Sequence, residues 1–62
     1  MCLSDVYCYQ NDEEELIMKN VSSVEQNDGI LTFSNIIGVS LEVKGSIKSA
    51  DLMENIIIIE RS

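Results

Sequence analysis

Apolar and polar residues alternate along this chain in short runs with a period of two, the pattern of half-buried β-strands. Residues 2–10 set Cys2, Ser4, Val6 and Cys8 on one face and Leu3, Asp5, Tyr7 and Tyr9 on the other. That mix of β-branched and aromatic side chains predicts a first strand. Gln10 to Glu14 breaks the pattern with turn formers and charges. Leu16-Ile17-Met18 predicts a second strand. Val21 and Val24 follow with Ser22-Ser23 between them, so the alternation slips by one residue. A bulge near the two serines restores it. Asn27-Asp28-Gly29 is the clearest turn, because glycine supplies a positive φ without steric cost. It joins residues 21–26 to residues 30–33 as a hairpin.

Beyond an apolar connection at Asn35-Ile36-Ile37-Gly38, Val39, Leu41 and Val43 alternate with Ser40, Glu42 and Lys44. Gly45 is expected to bend the chain into residues 46–53, which hold no helical stripe of useful length. Glu54-Asn55 reads as a tight turn into a last strand, residues 56–60. The chain thus reads as one all-β domain, residues 1–62, forming a small β-barrel of about six short strands. Ile56 to Ile59 are four consecutive isoleucines. Alternation would turn two of them to water, and a flat apolar strand of that kind aggregates unless covered. A chain of this size buries only about 60% of its unfolded surface. A homodimer is the expected cover.

Charge and composition narrow the function. Eleven acids against four bases give a formal charge of −7, and histidine is absent. Phosphate binding depends on lysine and arginine, so nucleic acid is not an expected partner, and an RNA-binding barrel is the weakest of the alternatives. No stretch approaches the roughly 20 apolar residues of a membrane span. The start of the chain has neither the basic residues nor the apolar core of a signal peptide, which leaves the cytoplasm as the expected location. Without histidine there is no Ser-His or Cys-His pair, and the three glycines form no phosphate loop. An enzyme is not expected.

The remaining chemistry lies at the amino terminus. Cys2 reads either as a small buried hydrophobe or as a metal ligand. If Met1 is retained, its α-amine, the Cys2 amide nitrogen and the Cys2 sulfur can chelate one metal in two fused five-membered rings. Such a set is nearly planar and suits Ni(II) or Cu(II). If Met1 is trimmed, the Cys2 amine and sulfur still form one ring. Two chains meeting at a two-fold axis would bring two Cys2 sulfurs together. Cys8 lies roughly 20 Å further along a straight strand, too far for a disulfide or a shared centre. It reads as a core residue, as do Met18 and Met53. The acids at positions 12–15 read as a solvated turn.

With these residues in view, the chain resembles the CooT family of small nickel-binding proteins. The likeness runs through Met1-Cys2-Leu3-Ser4, Glu14-Glu15-Leu16-Ile17-Met18, Val21, Val24-Glu25 and Asp28-Gly29. It continues through Gly38, Gly45-Ser46-Ile47-Lys48, Asp51-Leu52-Met53 and Ile58-Ile59-Glu60. The resemblance implies a small barrel, a homodimer, and Ni(II) held through the cysteine after the initiator methionine, here Cys2. It also implies a role in delivering nickel to carbon monoxide dehydrogenase or its maturation proteins. The alternative of another class is an acidic β-barrel interaction module with no metal role.

Overall fold

Two strands of this protein are too long to remain in one flat sheet, and their bends set the architecture. A computed structural model describes residues 3–61. Its strands are β1 (Ser4–Gln10), β2 (Glu13–Asn27), β3 (Ile30–Asn35), β4 (Ser40–Asp51) and β5 (Ile56–Arg61). Up to Val21, β2 pairs with β1; from Val21 onward it pairs with β3. β4 does the same, pairing with β3 up to Lys44 and with β5 from Gly45. A strand that changes partner in this way makes a corner between two sheets.

Each corner has a local cause. In β2, Asn20 sits at φ 56°, a left-handed conformation that asparagine tolerates better than most residues. The register also shifts between Val21 and Ser23, which is the bulge anticipated at the two serines. In β4 the corner is Gly45, whose amide donates to the Gly29 carbonyl at 3.0 Å. β1 and β5 then pair in parallel, so the sheet closes on itself as a barrel in the order β1-β2-β3-β4-β5. The other four pairings are antiparallel.

Two-residue turns close the first two hairpins. Asn11 and Asp12 (φ 53° and 63°) link β1 to β2, and Asp28 and Gly29 (φ 51° and 79°) link β2 to β3. Two successive positive φ values match the right-handed twist of the flanking strands. All five strands send side chains to one core: Val6 and Cys8, Met18 and Val21, Leu31 and Phe33, Val43, and Ile59. Burying Phe33, Leu31, Ile59 and Val6 completely contributes about 1.5–3 kcal/mol for each side chain.

Several sequence expectations change. There are five strands among the described residues rather than about six, because residues 16–18 and 21–26 belong to one bent strand. Gly45 does not end its strand: residues 46–51 continue β4 along β5. Val39 lies before β4 and is exposed, so the inward alternation begins only at Leu41. Met53 is not a core residue. It lies in the β4–β5 turn and is 93% exposed, because the Asp51 carboxylate caps the Met53 and Glu54 amides and holds the turn outside the barrel. Of the four isoleucines, Ile59 is buried and Ile57 packs against the core. Ile56 and Ile58 are half-buried on the opposite face of the same strand.

Candidate metal centre

The residues the sequence singles out for metal, Met1 and Cys2, lie outside the described residues, as does any contact they make. What the structure does define is the end of the barrel into which they lead. β1 starts at Ser4, which pairs with Val21. The Asp5 amide donates to the Asn55 carbonyl at 2.9 Å, and the Asp5 carboxylate accepts the Asn20 amide at 3.3 Å. Register carries the same level outward on both sides. Ser4 pairs with Val21, which pairs with Asn35; Asp5 pairs with Ile56, which pairs with Asp51.

The β3–β4 and β4–β5 turns therefore leave the barrel on either side of the start of β1. Both present apolar side chains to water. Ile37 is 79% exposed and Leu52 85%, with Ile36, Val39 and Met53 exposed beside them. The Asn35 side chain builds the first turn by accepting the Ile37 and Val39 amides at 3.1 and 3.0 Å. Large aliphatic residues on turns held this firmly do not reach the core.

Cys8 belongs to another environment. It is 5% exposed, a free thiol within the core cluster, as its position in the alternation predicts. It also lines a polar pocket of about 190 Å³ with Gln10, Asn11, Glu13, Glu15, Ile17 and Arg61. Among the described residues, no three of Cys, Asp and Glu converge on a point that could hold a metal ion. Of the acids at positions 12–15 only Asp12 lies in the turn; Glu13, Glu14 and Glu15 are the paired start of β2 rather than a solvated loop. The Tyr9 hydroxyl donates to the Asp12 carboxylate at 2.9 Å, and the Lys48 ammonium lies 4.5 Å over the Tyr9 ring.

That hydrogen bond holds the Tyr9 phenol above its ordinary value of 10.0, with desolvation and the charges of Glu60 and Glu14 acting the same way. Because the folded value is raised, the folded chain holds this proton more tightly than the unfolded chain. The resulting stability is fully present below the unfolded pKa and is lost as pH rises through the folded one. In a Tyr7→Phe background, phenolate absorbance is expected to rise above pH 10. Adding Asp12→Asn should shift the rise to lower pH, since the carboxylate charge is gone while asparagine tolerates the positive φ. A shift to higher pH would contradict the assignment.

The fold defines a small all-β protein whose sheet closes on itself, with a cysteine two residues upstream of the first strand. No helix among the described residues is long and apolar enough to cross a membrane. Residues 1–60 match a family profile described as CO dehydrogenase accessory protein CooT. The chain belongs to the CooT family. The crystal structure of a protein described as CooT from Carboxydothermus hydrogenoformans is similar, with a TM-score of 0.91 and 28% identity over 98% of each chain. No curated protein matches the chain. The family description is of an accessory protein to an enzyme rather than of a catalyst.

Proposed function

We propose that this chain binds Ni(II) through Cys2, as a homodimer, and serves the maturation of a nickel enzyme of the carbon monoxide dehydrogenase type. Membership of a family described as accessory to that dehydrogenase carries the reading. The chemistry of the terminus supports it. An amine, an amide nitrogen and a thiolate are donors suited to a square-planar ion, and Met1 and Cys2 supply all three within two residues. Nickel here is cargo rather than a resident cofactor.

The dimer rests on the apolar turns that flank the start of β1. Two barrels meeting through residues 36–39 and 52–53 would cover Ile37 and Leu52 and bring the two Cys2 residues to one axis. Such an isologous contact needs only one self-complementary patch. Replacing Ile37 and Leu52 together with serine should leave the fold intact, because both are exposed and surface changes typically cost within about 0.5 kcal/mol. Light scattering at micromolar concentration is expected to give a dimer for the parent and a monomer for the variant. A monomeric parent would contradict this part of the reading.

The metal is tested separately. Native mass spectrometry with and without nickel reports metal count, chain number and retention of Met1 in one measurement. Failure of the intact chain to gain nickel mass would defeat the proposal and leave the acidic interaction module as the better account.

A further inference from the structure

We propose that the outer face of β2, β1 and β5 docks a basic amphipathic helix of a partner protein, independently of nickel. Two rows of side chains carry the inference. Leu16, Tyr7 and Ile58 stand opposite one another on three neighbouring strands, on the face away from the core residues Val6, Cys8 and Ile59. Leu16 is 42% exposed, and Tyr7 and Ile58 are half-buried. Two residues further along the same strands stand Glu14, Tyr9 and Glu60, again in register. The first row is apolar. The second sets a carboxylate on each side of the Tyr9 ring, with Glu14 and Glu60 both exposed and the chain's own Lys48 ammonium 4.5 Å over the ring.

The spacing of the rows suits a helix. Two residues of a strand advance about 6.7 Å, while residues i and i+4 of a helix advance about 6.0 Å. A helix lying along β1 can therefore rest an aliphatic residue on the Leu16–Tyr7–Ile58 row and, one turn on, pair lysine or arginine with Glu14 or Glu60, the two carboxylates outnumbering the single Lys48 ammonium over the Tyr9 ring. Charge selects this occupant over a second copy of the chain. A copy carrying −7 would set these carboxylates against its own, and like charges in contact are unfavourable. The face is separate from the turns at residues 36–39 and 52–53, so a partner can bind here while that end of the barrel is occupied.

The test uses the intact metal-free chain and a labelled Leu/Lys peptide of about four turns with a helical apolar stripe. A peptide of the same composition, scrambled to remove the stripe, is the comparison. Fluorescence polarisation is expected to show binding that weakens with salt and is at least about tenfold stronger for the striped peptide. Glu14→Lys with Glu60→Lys should lower that affinity about tenfold or more, because two attractive contacts become two repulsive ones. Glu25→Lys with Glu42→Lys makes the same change in net charge on the other sheet, where both flank Thr32, and should lower it much less. Leu16→Thr with Ile58→Thr keeps strand-forming side chains and should also weaken binding, with circular dichroism unchanged. Equal losses in the two charge-reversed pairs would overturn the proposal, since attraction would then be to net charge alone. Equal binding of the scrambled peptide, or undiminished binding to the threonine variant, would overturn it as well. Because nickel is absent throughout, these outcomes are independent of the metal reading.

Discussion

Gly45→Ala is expected to remove about 3 kcal/mol of stability, the upper part of the usual range for overpacking a buried position. Gly45 is buried at the corner where β4 leaves β3 and joins β5. A Cβ there would collide with the Glu60 carbonyl oxygen and lie 3.0 Å from Arg61 Cα. Both obstacles are backbone of the paired strand. They can withdraw only by opening the β4–β5 ladder, and β5 closes the barrel through β1. The Gly45 amide also ties the corner to the Gly29 carbonyl, so a shift of the backbone endangers that bond too. A chain of this length has a total stability of about 3–9 kcal/mol. Alanine would thus consume a large share of it and lower the melting temperature by about 12–24 °C. Gly29 provides the contrast. It has open space around it and a φ of +79° that asparagine accepts in turns of this kind. Gly29→Asn should cost less than about 1 kcal/mol. Thermal unfolding followed by circular dichroism separates the two, and comparable losses would contradict this account of the corner.

The same corner explains which parts of the fold were legible in the sequence. Where one face of a strand is buried, alternation records it, and Val6 with Cys8 and Leu41 with Val43 were readable on that basis. The Asn27-Asp28-Gly29 turn was readable because its backbone restricts which residues can occupy it. The bulge at Ser22-Ser23 was readable because it displaces the alternation by one. Residues 46–51 were not. All six side chains are exposed, so this half of β4 is held by backbone pairing to β5, which leaves no mark in the order of apolar residues. Counting strands failed at residues 16–26 for a related reason: an asparagine at positive φ bends a strand without ending it. Met53 misled because an apolar side chain says nothing of burial when a capped turn carries it outward.

The candidate site was legible in another way. Cys2 was singled out by donor chemistry and by resemblance, while Cys8, with the same side chain, is a buried core residue. Its place in the barrel wall, beside Val6 and Ile59, makes the pair a natural control.

Cys2→Ser should weaken Ni(II) binding by more than about a hundredfold, since loss of a partner that merely orients a ligand already costs 10–100-fold. Serine keeps the shape of the side chain but replaces a soft thiolate with a hydroxyl that does not ionise at neutral pH. The amine and amide nitrogens remain, so weak residual binding is the expected floor. A sulfur-to-nickel charge-transfer band should form in the parent and be missing in the variant, with circular dichroism the same for both. In the parent, affinity should fall as pH is lowered, because an ordinary thiol with a pKa of about 8.5 must lose its proton to bind. Cys8→Ser should give the opposite pair of results. A hydroxyl placed in the core without a partner costs about 1–3 kcal/mol, so this variant should melt earlier, yet nickel affinity and the charge-transfer band should be retained. Calorimetric titration with nickel and thermal unfolding of both variants give four readings. Undiminished nickel binding in Cys2→Ser would sink the assignment; loss of nickel binding in a folded Cys8→Ser chain would move the site into the barrel.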